Sequence, residues 1–244
     1  MDKMIYTAAQ GANRILQAQT IRANNLANAN TPGFKADLER VQAVKVDTVA
    51  AALPTRVMAE TTDAGYSSRN GVADSTGRPL DLAINGKGMF SVQTPEGEAY
   101  TRNGSLVADA EGQLTIDGHP VLGNGGPIVL PAYQAINISR DGSISIATKA
   151  GAPMEEVAQL KLVSPTRDEL HKGENGLFYA QNNGRLAASD DIEVQSGALE
   201  GSNVDAVSEL IASMDLNRQF EIQVKLMKSA DRMADASNRL LQNV

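Results

Sequence analysis

The chain has 244 residues, a formal net charge of −7, 42% hydrophobic and only 4% aromatic residues, and no cysteine. That balance leaves too little basic surface to neutralise a run of phosphates, which excludes a nucleic-acid partner; the missing thiols exclude disulfides, thiolate metal sites and cysteine nucleophiles. With Trp also absent, the chain can bury one large or two modest cores, and those cores must be aliphatic.

No apolar run approaches the ~18 residues needed to span a bilayer. Met1-Asp2-Lys3-Met4-Ile5-Tyr6 lacks a basic segment followed by an apolar one, so no cleaved signal peptide is expected. Residues 3–28 contain no Pro and a single Gly, Gly11. Ile5, Ala8, Ala12, Ile15 and Leu26, flanked by Ala9, Leu16 and Ala23, recur at helical spacing. The stripe is narrow and Ala-rich, so the helix needs a packing partner to persist. It spans roughly 26 residues, on the order of 39 Å. Ala23-Asn24-Asn25-Leu26-Ala27-Asn28-Ala29-Asn30-Thr31-Pro32-Gly33-Phe34 ends it. Asn tolerates helix ends, Pro32 forbids continuation, and Gly33 frees the backbone for a turn before Phe34.

Residues 36–72 show a loose extended pattern and read as a connector. From residue 78 to 180 short alternating segments lie between turn signals at Asn85-Gly86, Glu96-Gly97, Asn103-Gly104, Glu111-Gly112, Asp117-Gly118 and Asp141-Gly142. That regularity predicts an antiparallel all-β domain, with a hairpin at Asn85-Gly86 and further strands at Val157–Val163 and Gly176–Tyr179. After Ile192 the chain is extended again and meets two glycines, Gly197 and Gly201. Ser202, with Asp205 three residues on, resembles a capping box. No Gly or Pro follows to Val244, which permits a helix of roughly 40 residues, about 60 Å. Its apolar positions include Val207, Ile211, Met214, Ile222, Leu226, Met233 and Leu240. A helix so long exceeds what one small domain covers and points to a coiled coil or to other chains.

No catalytic, cofactor-binding or metal-ligating constellation emerges. His119 and His171 lie in turn-like contexts without metal spacing. Gly123-Asn124-Gly125-Gly126-Pro127 lacks the Lys-Ser/Thr and following helix of a phosphate loop and reads as a β-turn. Asp109, Glu111, Asp117 and Asp141 sit where turns favour acidic residues for backbone reasons. They are the sole motive for a hydrolase reading, which would need two carboxylates facing one cleft.

Four stretches resemble the bacterial flagellar basal-body rod and hook family. They are Ala23–Lys35; Arg78-Pro79-Leu80-Asp81-Leu82-Ala83-Ile84-Asn85-Gly86-Lys87-Gly88-Met89-Phe90; Tyr100–Ser105 with Asp109–Leu114; and Ser196–Val204. They occur in the family's order across nearly the whole chain. Within it, the short length and the Met1-Asp2 start with Ile5-Tyr6-Thr7 are similar to the proximal-rod members, the distal-rod members being the alternative. Met89 departs from the family by standing where an aromatic is common.

The resemblance implies an α+β fold. Residues 1–30 with 203–244 would form an inner helical coiled-coil domain, 31–77 with 181–202 a connector, and 78–180 an outer antiparallel β domain. It implies a non-enzymatic structural subunit of the proximal rod that transmits torque. Its partners would be other proximal and distal rod subunits, copies of itself in a helical assembly, and the type III export apparatus, with no cofactor or small-molecule substrate. Location would be the periplasmic rod of the basal body. The assembly surface would comprise Ile5, Ala8, Ala12, Ile15, Leu16, Leu26, Val207, Ile211, Met214, Ile222, Leu226, Met233 and Leu240. Asn28, Asn30, Pro32, Gly33, Phe34, Gly197 and Gly201 would form the hinge at the two junctions.

Overall fold

A computed structural model describes residues 2–45, 57–181 and 184–242. With neither Pro nor a second Gly to interrupt it, the first segment forms one helix, α1, Asp2–Ala27. It stops where Thr31 N–H donates to Asn28 O at 3.1 Å, closing a turn just ahead of Pro32. The second Gly- and Pro-free segment forms α2, Ala206–Gln242. The cap differs from the sequence expectation. Asp205, not Ser202, is the N-cap: its Oδ1 accepts from Val207 N–H at 3.1 Å and from Ser208 N–H at 3.5 Å. The Ser202 hydroxyl instead accepts from Val204 N–H at 3.2 Å, holding the extended approach to the helix. The Ser208 hydroxyl beside Asp205, with those amides, holds its carboxyl below the usual carboxylate value.

The chain divides into two compact units, one of Met1–Ala27, Asp37–Gly65 and Asp205–Val244, the other of Asn28–Ala36 and Tyr66–Val204. In the first, α1 and α2 pack along each other. Ile15 and Ala18 meet Leu216 and Phe220, while Arg22 meets Glu209, so the helices run antiparallel. Two strands, Asp37–Lys45 and Val57–Tyr66, pair with each other, all but Tyr66 lying in this unit, so the loose pattern after residue 36 includes regular structure.

The second unit is all β, making the whole chain α+β. A five-stranded sheet runs in the order Leu162–Val163, Met89–Thr94, Gly97–Thr101, Phe178–Ala180, Leu170–Lys172, with antiparallel neighbours. Ala135–Ile138, Ser143–Ala147 and Glu155–Gln159 form a three-stranded sheet, as do Val107–Ala108, Leu114–Ile116 and His119–Pro120. Leu82, Phe90, Val92, Leu106, Leu114, Val121 and Ile144 pack in one aliphatic-rich core. Tyr66, Tyr100 and Phe178 centre a second. Burial pushes the Tyr100 hydroxyl up to about 12.

Asp117-Gly118 makes the expected tight hairpin, with Ile116 opposite His119 and φ of 51° and 79° at the two turn residues. Asn85-Gly86 does not. Leu82–Asn85 pairs with Glu193–Ser196, and Met89–Thr94 pairs with Gly97–Thr101 across Pro95-Glu96. The carbonyls of Ile84, Gly86 and Gly88 accept instead from a buried guanidinium, described below. The segment Val157–Val163 is likewise two strands, one ending at Gln159 on Ser143–Ala147 and one starting at Leu162 on Met89–Thr94.

Candidate functional site

The helix pair is built from positions repeating every three or four residues. Ala8, Ala12, Ile15 and Ala18 of α1 are buried, as are Leu216 and Ala230 of α2. Small side chains on α1 let the two backbones come close, and Ile15, 1% exposed, is the one large buried apolar side chain among the described residues of α1. Polar pairs border the seam: Gln19 Nε2 donates to Asn217 Oδ1 at 2.9 Å, and Arg22 Nη1 to both Glu209 oxygens at 3.2 Å. Asn25, fully buried, imitates a strand: its side chain donates to Asp37 O at 3.0 Å and accepts from Asp37 N–H at 2.8 Å.

A second apolar face is left to solvent. Val207, Ile211, Met214, Ile222, Leu226 and Met233 are 39–66% exposed, and Leu16 is 46% exposed. Of the positions singled out in the sequence, Ala8, Ala12 and Ile15 thus lie inside the pair. Ile5 and Leu26 are half-buried, and the α2 positions face outward. The Leu240 side chain lies outside the described residues. A groove opens beside Gly11, floored by Ala8 and Ile15 and flanked by Ile222 and Leu226.

The junction residues belong to the β unit. Asn28 Oδ1 accepts from the Thr31 hydroxyl at 3.1 Å. Asn30 is exposed and Pro32 half-buried. Gly33, at φ 70°, lies so close to the backbone of Arg102 and Asn103 that a Cβ would sit 2.2 Å from Asn103 N. Its N–H donates to Glu200 O at 2.7 Å. Phe34 lies under the Lys172 ammonium, 3.8 Å from the ring centroid. Gly197 N–H donates to Asp81 O, and Gly201 N–H to Val72 O, each at 2.8 Å.

Around these residues lies a cluster that the sequence did not reveal. Lys35, Arg102 and Glu200 are each 3% exposed. Lys35 Nζ donates to Glu200 Oε1 at 2.7 Å, to Arg69 O at 2.8 Å and to Asn70 Oδ1 at 3.4 Å. Arg102 grips Glu200 Oε2 through Nε, at 2.8 Å, and Nη2. Its other N–H groups serve the carbonyls of Ile84 at 3.2 Å, Gly86 at 3.0 Å and Gly88 at 2.8 Å. Gly71 N–H completes Glu200 Oε1 at 2.9 Å. Every donor of both cations is used, as burial of charge demands. Burial nonetheless pushes the Lys35 ammonium below its usual value, against the raising pull of Glu200.

Two of the acidic turn residues, Asp109 and Asp141, hold backbone amides. Asp109 Oδ1 accepts from the N–H groups of Glu111 at 3.0 Å and Gln113 at 2.7 Å. Asp141 accepts from Ser143 N–H at 3.1 Å and its hydroxyl at 2.9 Å, which lowers its carboxyl below the usual range. Asp117 accepts from Asn103 Nδ2 at 2.9 Å. His119 and His171 lie in short strands rather than turns, His171 stacked on Tyr179. Among the described residues no group of three or more His, Asp or Glu could hold a metal ion.

Comparison with known proteins gives these features a setting. Residues 5–35 match the flagella basal body rod protein family, 83–146 the flagellar hook protein FlgE/F/G D1 domain, and 195–240 the C-terminal region of flagellar basal body rod FlgEFG proteins. The flagellar basal-body rod protein FlgF of Escherichia coli is 43% identical over 99% of both chains, as is that of Salmonella typhimurium. The chain belongs to the flagellar basal-body rod family. It is a structural subunit of the basal-body rod and not an enzyme. FlgF of Caulobacter vibrioides and FlgG of Bacillus subtilis are each 32% identical over nearly full length. Each of the three matched segments of this rod protein contributes one charge to the buried cluster: Lys35, Arg102 and Glu200.

Proposed function

We propose that the chain is a proximal-rod subunit that polymerises helically with copies of itself and with other rod subunits through the helix pair. The carrying observation is that one apolar face of α2 remains 39–66% exposed after α1 and α2 have packed. A soluble chain leaves such a face open only at a cost, unless another chain covers it. Ala8, Ala12 and Ile15 are spaced by four and three residues, and Leu216 and Ala230 by two heptads, spacings compatible with a coiled-coil geometry for the pair. On this reading residues 1–30 and 203–244 form the inner helical domain, 78–180 the outer β domain, and the segments between them the connector. Subunits joined by unlike faces make a helical filament, the geometry an axial shaft needs to transmit torque. Export unfolded through the type III apparatus, ahead of folding on assembly, is part of the same proposal.

The test removes residues 1–27 and keeps Asn28 onward in cells lacking the native subunit. The β unit should remain folded, no rod should be completed, and cells should be non-motile. Motile cells carrying that chain would sink the proposal.

A further inference from the structure

We infer that Asn203 and the Lys35–Glu200–Arg102 triad form a latch that opens and closes independently on a β core that is folded without it. The latch joins residues next to three of the four places where the chain enters or leaves the β unit, at 36/37, 65/66 and 204/205. Asn203 Oδ1 accepts from Ala36 N–H at 2.8 Å, and its Nδ2 donates to Ser67 O at 3.2 Å and Arg69 O at 2.8 Å. Ser67 N–H donates to Ala36 O at 2.8 Å, and Asn203 N–H to Phe34 O at 3.2 Å. One asparagine therefore fastens three separate stretches, and the triad lies behind it.

Two arguments make this a separable device. First, the bonds that Glu200 and Asn203 make to the rest of the latch all join residues far apart in sequence, 98 for Arg102–Glu200 and 167 for Ala36–Asn203. The two three-stranded sheets and the hairpin of Met89–Thr94 with Gly97–Thr101 are instead pairings of near neighbours in the chain. Local pairings form without waiting for the long loop closures that the latch needs. Second, the triad is a poor source of net stability. Removing three charges from water offsets most of what their pairing returns, while a half-made triad leaves an uncompensated buried charge. The latch is thus expected to be wholly closed or wholly open. For a rod subunit, on the reading above, closing it makes residues 28–36, 66–72 and 198–204 one piece.

Hydrogen exchange on the full chain decides this, and it needs no rod, so its outcome is independent of the proposed function. The latch amides are Gly33, Ala36, Ser67 and Gly71; the core amides are Leu114, Val121 and Ile128, each donating to a core carbonyl. With Glu200→Gln, and separately with the uncharged change Asn203→Ala, latch amides should exchange faster by about tenfold or more, while core amides stay within about twofold. Equal acceleration of the core amides overturns the inference, as do unchanged latch amides. A Glu200→Gln chain that fails to fold also overturns it, since the core would then depend on the latch.

Discussion

Replacing Gly33 by Ala separates two reasons for a glycine in Thr31-Pro32-Gly33-Phe34. The first is conformational: φ is 70°, in the left-handed region, where an L side chain costs about 1–2 kcal/mol. The second is steric: the new Cβ would lie 2.2 Å from Asn103 N and 2.4 Å from the Arg102 carbonyl carbon. Both are backbone atoms, so one of the two backbone segments must move, at a further cost of about 1–3 kcal/mol. Gly77 isolates the first term, because its φ is 73° but an added Cβ would meet nothing within 4 Å. Urea unfolding of the two full-length variants, followed through the tyrosine signal of buried Tyr66 and Tyr100, gives the comparison. Gly33→Ala should destabilise the β unit by about 1–3 kcal/mol more than Gly77→Ala. Equal losses would refute the close approach of residue 33 to Arg102 and Asn103.

The remaining predictions concern the helix pair and acid stability. Gly11→Ala should stabilise α1 by about 0.5–1 kcal/mol, because glycine weakens a helix interior and the atoms nearest the new Cβ belong to the movable Gln223 side chain, at 3.2 Å. Thermal unfolding by circular dichroism would read this, and a lower midpoint would contradict it. Ile15→Ala should loosen the pair by about 2–5 kcal/mol, seen as lost helix signal with the β signal retained. Asp81, buried and hydrogen-bonded first to Arg78 and also to Thr76, has its carboxyl held below 3.8. Its contribution is therefore complete above that value and lost as the pH falls below it. The stability gap between the native chain and Asp81→Asn should shrink as pH drops from about 4, whereas a constant gap would exclude this pairing as the cause.

The end of α1 was legible because local chemistry sets it, with Pro32 just beyond; α2 was legible as a stretch free of Gly and Pro, although its cap is Asp205 and not Ser202. The Asp117-Gly118 hairpin was legible for the same reason. Asn85-Gly86 misled because the strand before it, Leu82–Asn85, takes its partner from the far end of the β unit, Glu193–Ser196, a pairing no local turn signal announces. Lys35, Arg102 and Glu200 read individually as ordinary surface charges, and no local pattern pairs residues 98 and 165 apart. The face of α2 turned toward α1 was also hidden. Apolar residues surround much of that helix, and periodicity alone does not say that Leu216 and Ala230 turn inward while Ile211 and Ile222 turn outward.

The absence of cysteine makes the central claim directly measurable. Single changes Ile211→Cys and Ile222→Cys place a thiol on the exposed face of α2, and Ala18→Cys places one inside the pair, where residue 18 is fully buried. A short bifunctional thiol–amine cross-linker would be applied to isolated basal bodies carrying each variant. Adducts between the chain and neighbouring rod subunits should form from positions 211 and 222 and not from 18. Adducts absent from both exposed positions, or equally abundant from position 18, would contradict assembly through the open face of the helix pair.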